Sequence, residues 1–213
     1  MINLESISAH VLQAMQAKHE ARERTLAHSR ELIRTSANAI RAVHRGEFQA
    51  AHQLIEQARA LNEQIKADLA DHPDLYFSGF AQDAQKEFAE AVIVVRLVQQ
   101  QPVPGPDELG VEVAPYLNGL GEAVGELRRH ILDRLRVGRD EHCESILQIM
   151  EDIYSFLITV DYPEAVTGGL RRTTDNVRGI LERTRGDLTL ALRQARLERA
   201  LAGLELLARE TSE

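Results

Sequence analysis

Half of this chain's six prolines stand within five residues, at Pro102, Pro104 and Pro106, and the tracts on either side almost lack helix breakers. Proline locks φ and carries no backbone N–H, so this segment divides the sequence for any regular structure. The flanking tracts are rich in Ala, Leu, Glu, Gln and Arg, all strong helix formers. Aromatics amount to 4% of residues and Trp is absent. The chain reads as all-α.

Periodicity and breakers predict seven helices. The first covers Leu4–His44 and stops at Gly46. The second covers residues 47–70 and ends before His72-Pro73. The third covers 74–101, and the fourth 113–137, with Pro115 in its first turn. The fifth covers 140–159. Asp161-Tyr162-Pro163 opens a sixth that lasts to Arg185, and Gly186 separates a seventh over 187–210. There is no internal repeat and no linker long enough to divide domains, so residues 1–213 read as a single helical domain. A first helix of about 40 residues is long for such a domain. Several helices also carry apolar residues on more than one face. Both features point to packing between subunits, hence a homo-oligomer.

One cysteine, Cys143, excludes an internal disulfide and a multi-cysteine zinc site. The N-terminus reads as an amphipathic helix rather than a signal peptide. The longest strongly apolar run, residues 89–95, is too short to span a bilayer. A cytoplasmic location without membrane association is expected. The formal charge of −8 is unevenly spread. Residues 1–46 hold seven basic against four acidic groups, residues 47–126 four against fourteen, and residues 127–213 fourteen against fifteen. The acid is concentrated in the middle third, as a metal site within a basic surround would require, although a solvated face would give the same count.

Within that third, Glu87 and Glu90 lie at i, i+3 on a helix that is apolar nearly all round. Phe80, Ala84, Phe88, Ala91–Val95, Leu97 and Val98 leave a narrow strip with Gln85, Ala89 and Arg96 for water. Buried like charges must protonate, pair with a base or bind a metal. Lys86 is read as pointing elsewhere, and interhelix pairing with arginines is the alternative to a metal. The fourth helix has a clean stripe of Leu117, Leu120, Val124, Leu127, Ile131 and Leu135, with Glu122 and Glu126 opposite. Taken alone these two glutamates look solvated. Gly119, Gly121 and Gly125 flank them, however, and each costs about 1 kcal/mol relative to Ala in mid-helix. Another backbone or a ligand therefore approaches that face. If the two helices oppose these faces, Glu87, Glu90, Glu122 and Glu126 converge as oxygen ligands for Mg²⁺ or Mn²⁺. Such a site can activate water for phosphodiester chemistry.

Two segments carry a family resemblance. Gln85-Lys86-Glu87-Phe88-Ala89-Glu90-Ala91 resembles the Glu-x-x-Glu helix of translin-associated factor X (TRAX). Residues 116–127, Tyr-Leu-Asn-Gly-Leu-Gly-Glu-Ala-Val-Gly-Glu-Leu, resemble the same family's Tyr-Leu-x-Gly segment with its terminal Asp-x-x-Gly-Glu-Leu. His72-Pro73, Tyr154-Ser155-Phe156 and the stretch from Arg171-Arg172 to Arg185-Gly186 support the match, which runs from the first helix to about residue 186. The resemblance implies a seven-helix subunit assembling into a hollow, often octameric shell. Translin binds single-stranded nucleic acid and lacks the full acidic set. TRAX carries it and is a Mg²⁺-dependent endoribonuclease. Glu87, Glu90 and Glu126 match the family's glutamates. Glu122 departs, standing where the family usually has Asp, which moves its charge out by one methylene. Four retained acids put the chain nearer the TRAX branch.

Arg41, Arg45, Arg128 and Arg129 are candidate phosphate contacts, the last two because they follow the second acidic motif. With four Tyr and five Phe, extensive base stacking is excluded, so binding should be electrostatic. The leading expectation is a metal-dependent endoribonuclease on single-stranded RNA. The main rival is a translin-like shell that binds single-stranded DNA or RNA without cutting. A di-metal redox protein ranks last, because no Glu-x-x-His pattern accompanies the acids.

Overall fold

The computed structural model describes residues 4–210, with side chains through residue 204. These residues form nine helices and no strand: α1 Leu4–His44, α2 Phe48–Asp68, α3 Pro73–Tyr76, α4 Phe80–Val98, α5 Pro106–Leu109, α6 Val113–Arg136, α7 Cys143–Leu157, α8 Glu164–Thr167 and α9 Leu170–Glu210. The all-α expectation holds. The count differs from seven because the single-turn α5 occupies a predicted break, the third predicted helix is divided into α3 and α4, the sixth is divided at Gly168-Gly169 into α8 and the start of α9, and the sixth and seventh run together in α9.

The third predicted helix is interrupted after Tyr76. Gly79 adopts φ +105°, a conformation that side-chain-bearing residues rarely reach, so α3 and α4 are separate. The predicted stop at Gly186 is absent, and α9 runs through it. A lone glycine costs only about 1 kcal/mol in a helix. Leu188 just beyond it is buried and Asp187 bonds Arg128, which holds the backbone helical there.

The chain divides into two compact units. The first contains the described residues up to Ala123 together with Tyr162–Leu170. In it α1 presents Ala21, Thr25, Ser29, Leu32, Ser36, Ala39 and Val43, spaced three or four apart, as a buried face. Ala51, Ile55, Ala58, Asn62 and Ile65 do the same on α2. Both helices pack on α4, whose residues Phe88–Val95 are all buried. The second unit contains Val124–Asp161 and the described residues from Arg171 on. Leu127 and Ile131 of α6, Met150 and Leu157 of α7, and Val177, Leu181 and Leu188 of α9 are among its buried residues. Helix α6 supplies residues to both units. Among the described residues no helix is long and apolar enough to cross a membrane.

The Tyr116–Gly119 motif is structural throughout. The Tyr116 hydroxyl donates to the carbonyl of Pro104 at 3.0 Å, tying α6 to the proline-rich segment. Leu117 is buried. The Asn118 amide donates to the carbonyl of Thr167 at 2.9 Å, securing α8. Gly119 sets the approach of α4.

Candidate metal centre

A Cβ at Gly119 would lie 2.7 Å from the carbonyl oxygen of Lys86 and 3.0 Å from the amide nitrogen of Glu90. Both are backbone atoms that cannot step aside. The missing side chain therefore lets α4 and α6 cross with their backbones nearly touching, and this offsets the helix-propensity cost of a mid-helix glycine. Of the two causes open from sequence, backbone or ligand, the structure selects backbone at Gly119.

The crossing brings Glu87 and Glu90 of α4 against Glu122, one turn beyond Gly119 on α6. One carboxylate oxygen from each lies within 4.8 Å of the other two. Glu90 is buried, at 9% exposure, and the other two are half-buried. Lys86 belongs to the same cluster. Its ammonium donates to Glu122 Oε1 at 2.7 Å and lies 3.3 Å from Glu87 Oε1. Burial acts to lower the pKa of this ammonium. The hydrogen bond and charge of Glu122, with a further contribution from Glu87, outweigh it, so the pKa stands above the ordinary lysine value. Lys86 is thus a full positive charge at neutral pH.

The expectation that Lys86 points elsewhere is therefore wrong. Lys86 precedes Glu90 by four residues, a spacing that puts both on one helix face. Its long stem then reaches the partner helix. The arginine pairing held as the alternative to a metal is replaced, for Glu87 and Glu122, by this one lysine. The strip expected to face water is also corrected. Gln85 and Ala89 are fully buried. Gln85 donates to the Tyr76 hydroxyl at 2.8 Å and accepts from the Glu112 amide at 3.0 Å. The Tyr76 hydroxyl donates onward to Glu112 Oε1 at 3.1 Å. This network anchors α3 and the start of α6 to α4, one residue before Lys86.

The donor set fits a hard divalent cation. All three donors are carboxylate oxygens, and the Lys86 ammonium contacts two of the three carboxylates. Oxygen ligands about 2.1 Å from Mg²⁺ stand about 3.0 Å apart when adjacent and about 4.2 Å apart when opposite, so oxygens within 4.8 Å of one another would draw together around a shared ion by adjustment of the glutamate side chains. Glu87, Glu90 and Glu122 are the residues that would hold the ion.

The other sequence-identified residues have partners of their own. Glu126 follows Glu122 by four residues on α6 and belongs to the second unit, where the Arg129 guanidinium is 3.7 Å away. Arg129 also reaches Asp133, at 4.0 Å. Arg128 donates to the Thr184 hydroxyl at 3.1 Å and to Asp187 at 2.7 Å, joining α6 to α9. In the first unit Arg45 clasps Glu47 through two bonds of 2.9 and 2.6 Å, and Arg41 is exposed on α1. Gly125 differs from Gly119: the nearest atom to its missing Cβ is the tip of Ile180, at 3.9 Å.

No family model matches the chain. An uncharacterised protein of Methanocaldococcus jannaschii is 32% identical over 192 residues, which cover 89% of this chain and 84% of that protein. Among solved structures, AfC3PO in complex with duplex RNA is 33% identical with a TM-score of 0.81, covering 92% of this chain and 99% of that one. AfC3PO alone is 33% identical with a TM-score of 0.80, covering 92% and 100%. Apo-NeC3PO, 22% identical with a TM-score of 0.78 and covering 90% and 98%, shares the fold.

Proposed function

This chain belongs to the translin family, and from that premise we propose that it is an RNA-binding protein and a metal-dependent endoribonuclease. The observation that carries the reading is the group of Glu87, Glu90 and Glu122 at the Gly119 crossing. Glu126, the next acid along α6, completes the proposed set. The four acids favour the TRAX branch. Bound by these carboxylates, Mg²⁺ or Mn²⁺ would supply Lewis acidity toward a phosphoryl oxygen and lower the pKa of a water. The chain's own residues gather hard anionic oxygens in a half-buried place and hold them at fixed separation through the helix crossing. Arg41, Arg45, Arg128 and Arg129 are the proposed contacts to the phosphate backbone, giving affinity without sequence preference.

Single-stranded RNA is the proposed substrate. AfC3PO has been solved with duplex RNA, which supports RNA as the ligand class and makes a duplex the necessary second substrate to test. The working form is proposed to be a homo-oligomer, an octamer by the family resemblance, in the cytoplasm. Leu4, Ile7, Val11, Leu12 and Met15 support assembly: they recur along one stretch of α1 and are each about half or more exposed. Lys86 favours a second reading. A cluster already paired with an ammonium suits a translin-like protein that binds single-stranded RNA or DNA without cutting it.

The test is cleavage of end-labelled RNA, single-stranded and duplex, in Mg²⁺ or Mn²⁺. Turnover that disappears in EDTA and in both Glu90→Gln and Glu126→Ala is the expected result. Cleavage indifferent to chelation and to both substitutions would refute the metal mechanism. Salt-dependent binding without turnover in either metal would establish the second reading.

A further inference from the structure

We propose that Lys86 is a tethered counter-cation that competes with the metal: its ammonium bridges Glu87 and Glu122 and has to leave them before a divalent cation is held there. The inference rests on reading the cluster as a metal site. Lys86 is one of three lysines in the chain. Lys18 pairs with Asp74 and Lys66 with Glu63, each through a single carboxylate on a more exposed side chain. Lys86 contacts two carboxylates, at 2.7 and 3.3 Å, and both are members of the three-oxygen group. An ammonium so placed occupies an oxygen on two of the three carboxylates that a cation would use.

The position is built in from the backbone. The carbonyl of Lys86 is one of the atoms pressed against Gly119, so the residue's own Cα cannot drift from α6. Only the side chain can move. It has a flexible four-carbon stem and 24% side-chain exposure, enough for an outward path to solvent. Exchange replaces one positive charge by two among three carboxylates. In the metal-free protein the lysine limits repulsion among the acids. In the loaded protein it stands free beside them.

The test is Mn²⁺ binding by calorimetry, with paramagnetic resonance of free Mn²⁺ as a second readout. Lys86→Gln should tighten binding by at least about ten-fold, because removing a point charge from two carboxylates lifts a competitor of the metal. Lys86→Arg should keep the weaker wild-type affinity, and Glu90→Gln should abolish binding. Wild-type protein offers a check that needs no variant. Reductive methylation mapped by peptide mass spectrometry should rise several-fold at Lys86 on adding Mn²⁺, with Lys18 and Lys66 as unchanged controls. Mn²⁺ binding that is lost in Glu90→Gln but unchanged or weakened in Lys86→Gln would overturn this proposal and leave the metal-site reading standing. So would Lys86 methylation that ignores Mn²⁺. Absence of Mn²⁺ binding in both wild type and Lys86→Gln would overturn the two together.

Discussion

The two halves of α6 use the same residue types for opposite ends. In the first half Gly119 lies against the backbone of α4, and Glu122 is drawn into a group with Glu87, Glu90 and Lys86. In the second half Gly125 has only the end of the Ile180 side chain near it, and Glu126 pairs with Arg129 on its own helix. A mid-helix glycine therefore carries information about a site only where backbone, rather than a side-chain tip, occupies the missing volume. An acid beside it becomes part of a cluster only where a second helix brings more acids to the same place.

The contrast can be tested from its strongest effect down. Glu90→Gln removes the most buried carboxylate of the group, and RNA cleavage in Mg²⁺ should fall by at least about 100-fold, since even indirect disturbance of a metal site commonly costs 10- to 100-fold. Gly119→Ala forces a methyl group onto two backbone atoms. Denaturant melts should show a loss of about 2–3 kcal/mol, the upper range for overpacking. Unchanged stability would mean that α4 and α6 do not cross so closely. Gly125→Ala meets only the tip of Ile180, at ordinary van der Waals distance, and gains helix propensity, so the same melts should show no loss and a gain of up to about 1 kcal/mol. Arg129→Ala breaks a pair with a 54% exposed arginine. Its effect on stability should stay under about 0.5 kcal/mol.

Much of this was legible from residue spacing, and the failures have physical causes. The buried faces of α1 and α2 repeat every three or four residues, so both helices were readable to within a few residues. Glu87 and Glu90 stood out because α4 is apolar nearly all round. Gly119 was recognised as a close approach, but the choice between backbone and ligand needed coordinates. Lys86 was missed because a helical wheel shows where a side chain leaves the axis and not how far it reaches. A four-carbon stem crosses to the next helix, and the i, i+4 relation to Glu90 was the available signal. The break at Gly79 turned on one residue's positive φ. The continuity at Gly186 turned on long-range contacts of Asp187 and Leu188, which local propensity does not contain. Arg45, Arg128 and Arg129 were identified as cations, and their intramolecular partners depend on the fold.

The central claim is that Glu87, Glu90 and Glu122 together hold a divalent cation. Anomalous diffraction from a crystal soaked in Mn²⁺ tests it most directly. The account expects one strong peak within about 2.0–2.6 Å of an oxygen from each of the three, the range for hard divalent cations, with the Lys86 ammonium displaced from Glu87 and Glu122. A map with no peak there at saturating Mn²⁺, and Lys86 still bridging the two carboxylates, would contradict it.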